Sequence, residues 1–130
     1  MESSKKSQEV ELEQHLKLKS HFIEVKGSKI HYLEEGSGDP ILFIHGIPTW
    51  SYLWRNIIPP LQQLGRCIAP DLIGFGLSDK PKISYRVFDL IDYLEAFINQ
   101  LNLQNIILIV HGWGSIPGLD IAMRNSSRFK

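Results

Sequence analysis

The sequence predicts an α/β fold, a mostly parallel sheet of about five strands with flanking helices. Three observations lead there. Residues 41–44, 66–70 and 106–110 form short apolar runs, as expected of strands covered on both faces. Residues 87–103 place apolar side chains at 87, 90, 91, 94, 97, 98 and 101, which is helical spacing. Strand-like and helix-like segments then alternate along the chain, which is the pattern of a parallel sheet with helices on its faces.

The elements follow in order. Residues 1–20 are polar and rich in lysine and glutamate, with leucines at 12, 16 and 18; they read as an N-terminal tail with at most a short helical turn. Residues 21–130 read as one continuous domain. Segments 21–26 and 29–35 are two strands of a hairpin turning on Gly27 and Ser28. Residues 36–40 carry turn chemistry. Residues 51–64 read as a helix interrupted by Pro59 and Pro60, and 115–123 as the last helix. In this reading strand 106–110 has no successor, so an apolar edge lies open. Either something covers that edge or the domain is part of something larger.

The composition narrows the function. The chain has 130 residues, 43% hydrophobic and 22% charged, which suits one folded domain and argues against disorder. Lys+Arg and Asp+Glu both count 14. Zero net charge gives no electrostatic footprint for nucleic acid or an anionic membrane, and little protection against self-association. The single cysteine, Cys67, rules out a disulfide framework and a cysteine-based metal site; in its apolar strand it reads as a small buried hydrophobe. The longest aliphatic run, 106–110, is far short of the roughly 20 residues that span a bilayer. No apolar leader opens the sequence, so the expected location is the cytoplasm.

Three strand-to-helix junctions carry the candidate chemistry. His45-Gly46-Ile47-Pro48 follows the first buried strand. It is either an ordinary β–α turn or a turn whose backbone N–H groups face the ligand crevice and stabilise an oxyanion. Residues 71–79 (DLIGFGLSD) hold only two glycines of the dinucleotide fingerprint; Asp71 most simply caps this loop. Residues 110–115 (VHGWGS) lie where a nucleophile elbow sits, a sharp turn that raises a side chain at the top of the sheet. The residue flanked by His111 and Trp113 is Gly112, which has no side chain. Trp50, Tyr52 and Trp54 either pack the first helix on the sheet or line an entrance.

Together, residues 45–56, 65–74 and 110–115 resemble the haloalkane dehalogenases of the α/β-hydrolase superfamily, with epoxide hydrolases and coelenterazine luciferases as near relatives. The resemblance covers about residues 21–130. It implies the N-terminal half of an α/β-hydrolase fold, with cap and C-terminal half absent. It also implies a reaction: an Asp displaces halide to form an alkyl ester, and a His-activated water hydrolyses it. No metal or organic cofactor is implied, and the substrate is a small halogenated or related apolar molecule.

Carried over residue by residue, Gly112 stands at the nucleophile position, where Asp is expected. The backbone N–H groups of Ile47 and Trp113 match the oxyanion hole, and the Trp113 indole matches a halide donor. Ile47 stands where the family has its halide-binding Asn, so that donor is missing. Either another hydrolase branch never used the Asn, or function has decayed. The family order is nucleophile, acid, His, yet the five histidines are 15, 21, 31, 45 and 111, none of them after the elbow. The expectation is a truncated and inactive copy. The alternatives are a fragment that assembles with a complementary C-terminal chain or with itself, and a relative of epoxide hydrolases or esterases.

Overall fold

The computed structural model describes residues 2–130. Five strands form one sheet: β1 (Ser20–Val25), β2 (Ser28–Glu35), β3 (Pro40–Ile44), β4 (Arg66–Pro70) and β5 (Ile107–Val110), in the order β1-β2-β4-β3-β5. The sheet is mixed. β3 runs parallel to β4 and to β5, whereas β1–β2 and β2–β4 are antiparallel. Four α-helices lie among the described residues: α1 (Glu2–Val10), α2 (Ile58–Leu61), α3 (Val87–Gln100) and α4 (Ser115–Arg124).

The apolar runs are buried strands, as their composition requires. Every residue of β3 is buried, and the pleat sends alternate side chains to opposite faces. Leu42, Ile44 and Ile68 pack with Leu90, Leu94, Phe97 and Ile98 of α3 and with Ile121 of α4. Ile41, Phe43, Cys67 and Ala69 face the other way, onto Trp54 and Ile58. Burial also pushes the Cys67 thiol up, as for a packing residue.

Three details differ from the sequence reading. The hairpin turns on Lys26 and Gly27, both at positive φ (+50° and +78°), the backbone of a type I′ turn; Ser28 is already paired with Val25. The helix expected over 51–64 is a 3-10 turn, Ser51–Trp54, followed by the short α2. Proline has no N–H to give, so Pro59 and Pro60 sit in the first turn of a helix and start it rather than interrupting one. The N-terminal segment is more than a polar extension. It forms α1 and a π-helical turn (Glu11–His15), and seats fully buried Leu12 and Leu18 beside Phe43 and Trp54.

The open edge is partly engaged. Ile106 makes a parallel bridge with Phe129: its N–H donates to the Arg128 carbonyl and its carbonyl accepts from Lys130, both at 2.8 Å. The Arg128 guanidinium also donates to the carbonyls of Ile98 and Leu103, closing the C-terminal end of α3. Beyond this bridge, β5 is paired with β3 alone among the described residues, and Ile107 is 42% exposed.

If the N-terminal segment belongs to the folded body, Leu12→Ala removes a buried side chain and costs about 2–5 kcal/mol. Urea unfolding measures this. An unchanged midpoint would show that the segment does not dock.

Candidate active site

The turns that follow β3, β4 and β5 leave the same edge of the sheet, because the three strands are parallel. This is where an open α/β sheet forms its ligand crevice. The first and last of these turns touch. The His111 N–H donates to the Ile44 carbonyl at 3.1 Å. A Cβ on Gly46 would lie 3.0 Å from His111 Nδ1, and one on Gly114 only 2.0 Å from the His45 carbonyl. Glycine at 46 and 114 is therefore what lets the turns close on each other.

Gly112 is different. Its φ is +55°, the left-handed region, yet a Cβ there would meet nothing nearer than Gly46 Cα at 3.8 Å. Here a side chain would fit, and it would point toward the His45–Pro48 turn. Glycine adopts this left-handed conformation without strain, and it brings no side chain to the turn that follows β5. Gly112 opens a 3-10 turn (Gly112–Gly114) leading into α4, and its carbonyl accepts from the Ser115 hydroxyl. Trp113 stands 64% exposed beside it, and Ile47 is half-buried across the junction. Gly112 and Trp113 thus lie in the turn after β5, and Ile47 lies in the turn after β3, which Gly112 approaches at Gly46.

His45 is fully committed to the scaffold. Its Nε2 accepts from the Leu72 N–H at 2.9 Å and its Nδ1 lies 2.7 Å from the Gly46 carbonyl. Nδ1 therefore carries the proton and donates, and the ring is neutral. Burial lowers the pKa of His45, and the Gly46 bond and the nearby Asp71 only partly offset this. The Trp54 ring packs edge-on to His111 and at a tilt on Phe43. Trp54 is therefore a packing residue, whereas Trp50 and Tyr52 stack on each other in a half-exposed position beside the turn.

The group that sequence reasoning undervalued is Asp71. Its fully buried carboxylate accepts from Ser51 N–H at 2.7 Å, Leu77 N–H at 2.9 Å and His31 Nδ1 at 2.8 Å. Gly76 is held against it, since a Cβ there would lie 2.4 Å from Oδ2. Burial alone would raise this carboxyl. The bond and charge of His31, with the Leu77 and Ser51 amides, outweigh that and hold it below the usual carboxylate range. The loop-capping role expected of Asp71 is there, but the histidine it pairs with lies on β2, 40 residues earlier. No local spacing could reveal that partner. Among the described residues no group of three or more metal-ligating side chains exists.

The model of the alpha/beta hydrolase fold family matches residues 39–130, and the chain belongs to that family. It is 52% identical over 112 residues to a haloalkane dehalogenase of Sphingobium indicum, covering 82% of this chain and 38% of that protein. It is 44% identical over 119 residues to a cis-3-alkyl-4-alkyloxetan-2-one decarboxylase of Shewanella oneidensis, covering 88% and 37%. The crystal structure of the haloalkane dehalogenase DatA from Agrobacterium tumefaciens C58 superposes with a TM-score of 0.84 at 43% identity, covering 86% of this chain and 38% of that one. The chain therefore spans little more than a third of the length of the relatives it matches.

Asp71 and His45 both bind protons less readily in the folded than in the unfolded chain, so each contributes stability that is present at neutral pH and lost on acidification. The loss begins as pH falls below the ordinary histidine value and continues below the ordinary carboxylate value, as Asp71 titrates. Urea midpoints from pH 8 to pH 3 should fall steadily; a rise on acidification would contradict the assignment. Asp71→Asn should cost about 3–5 kcal/mol at pH 7, the usual cost of breaking a buried hydrogen-bonded pair.

Proposed function

We propose that this chain is the nucleophile-elbow part of a haloalkane-dehalogenase-like hydrolase and that it does not itself cleave carbon–halogen bonds. The observation that carries the reading is Gly112: an elbow at φ +55° with room for a side chain and none present. Hydrolysis through an alkyl ester needs a carboxylate to attack carbon while halide departs, then a base to activate water. Position 112 supplies no carboxylate. The described histidines place no free base at position 112 either. His31 and His45 have both ring nitrogens engaged, His111 sits within the elbow itself, and His21 lies on β1 at the far side of the sheet. The side chain of His15 lies outside the described residues.

What the crevice retains is binding apparatus. The N–H groups of Ile47 and Trp113 would hold an ester oxyanion, and the exposed Trp113 indole would donate to a leaving halide. Such groups leave only a small residue of catalysis once the nucleophile is gone. Completion by a complementary C-terminal segment is the partner reading, supported by the unpaired flank of β5 and by the Phe129 bridge that begins a further parallel pairing beside it. No helix among the described residues is long and apolar enough to cross a membrane; a cytoplasmic location is part of the proposal.

A second reading concerns the substrate. Ile47 lacks the side-chain donor that a halide would use, and the oxetanone decarboxylase is as similar over this region as several dehalogenases are. A β-lactone substrate would need no halide donor.

The test is a two-by-two assay of halide release from 1,2-dibromoethane. Position 112 is glycine or aspartate, and the C-terminal remainder of a dehalogenase relative is absent or supplied in trans. Release is expected only where Gly112→Asp and the remainder are combined. Gly112→Asp alone should fold, at a cost of about 1–2 kcal/mol for a side chain at positive φ, and stay inactive. Release by the unaltered chain, or by Gly112→Asp alone, would sink the proposal. In the active combination, carbon dioxide release from a dialkyl-oxetan-2-one in place of halide release would favour the second reading.

A further inference from the structure

The mechanism above leaves unused a second polar cluster, at the opposite end of the sheet order. Ser20 Oγ lies 2.5 Å from His31 Nε2, and His31 Nδ1 lies 2.8 Å from Asp71 Oδ2. Asp71 accepts also from two backbone amides. Being acceptor-only when ionised, it fixes the His31 proton on Nδ1. In the neutral form of the ring Nε2 is then the acceptor, and the Ser20 hydroxyl donates to it. That is the order of groups that activates a serine: a hydroxyl on a neutral imidazole, oriented by a carboxylate.

The surroundings suit attack from outside. His31 and Asp71 are fully buried, whereas Ser20 is half-buried and opens β1, the outer strand of the sheet. The strand ladder aims a donor there as well. The Glu34 N–H donates to the Lys19 carbonyl, so the next pair, Ser20 with Leu33, is the non-hydrogen-bonded kind. Alternation then turns the Ser20 N–H outward from the sheet, at the unpaired edge of β1. A carbonyl or phosphoryl oxygen bound at that edge would meet a backbone donor as the oxygen gains charge.

The geometry points to Ser20 as a reactive nucleophile that takes acyl groups from activated esters and phosphoryl groups from dialkyl fluorophosphates. In the first case the Oγ–C bond forms as the acyl C–O bond breaks, the Ser20 proton passes to His31 Nε2, and the ester's alkoxide or phenoxide leaves. In the second case the Oγ–P bond forms as the P–F bond breaks. The Ser20 proton passes to His31 Nε2, and fluoride leaves.

The experiment is incubation of the unaltered chain with a dialkyl fluorophosphate, followed by intact mass and peptide mapping. The expected result is one phosphoryl adduct, on Ser20, formed about a hundredfold faster in the folded than in the urea-unfolded chain, the low end of what a positioned base supplies. Ser20→Ala, checked for native circular dichroism, should abolish it. Acetylation of the same residue by p-nitrophenyl acetate is the parallel expectation. No adduct at Ser20, or an adduct formed equally fast in the unfolded chain, overturns the inference. Neither result depends on position 112 or on halide release.

Discussion

A carboxylate buried at the end of β4 has to be met by donors, and the donors that meet Asp71 come from three separate parts of the chain. His31 belongs to β2, Ser51 to the 3-10 turn and Leu77 to the loop after β4. An ionised group left unpaired in an apolar interior would cost several kcal/mol, so these partners hold one another in place. Ser78 extends the network: its hydroxyl donates to the Asp71 carbonyl and accepts from the His31 N–H. One residue after Asp71, the Leu72 amide donates to His45, so the order imposed at Asp71 carries into the turn after β3.

From there the constraint is steric. The His45–Pro48 turn and the elbow approach too closely for side chains at 46 and 114. Position 112 sits between these two tight glycines, and there the space is open. The fold therefore preserves the shape of an elbow independently of the group the elbow would carry. The chain keeps an alpha/beta hydrolase scaffold with glycine at position 112.

Much of this was legible in the sequence because it rests on local pattern. Uninterrupted apolar runs at 41–44 and 66–70 mark strands covered on both faces, and helical spacing over 87–101 marks α3. The three junction motifs mark the ends of β3, β4 and β5 because glycine, proline and their neighbours leave a fixed imprint there. The rest depended on contacts that sequence distance hides. The mixed sheet follows from β2 pairing with β4, which no local signal requires. Leu12 and Leu18 look like isolated apolar residues in a polar segment until the surface beside Phe43 and Trp54 is seen. His31 reads as one polar residue in an alternating strand, and only the fold brings it to Asp71 and Ser20.

The Asp71 carboxylate organises the loops that follow β3 and β4. Native-state hydrogen exchange at the amides of Ser51 and Leu77 reads this out, since both lie outside the sheet and are bonded to that carboxylate. They should exchange only through large-scale unfolding, as slowly as amides of β3 and β4. Exchange at the rate of neighbouring loop amides would show that the carboxylate does not hold them and would contradict the account.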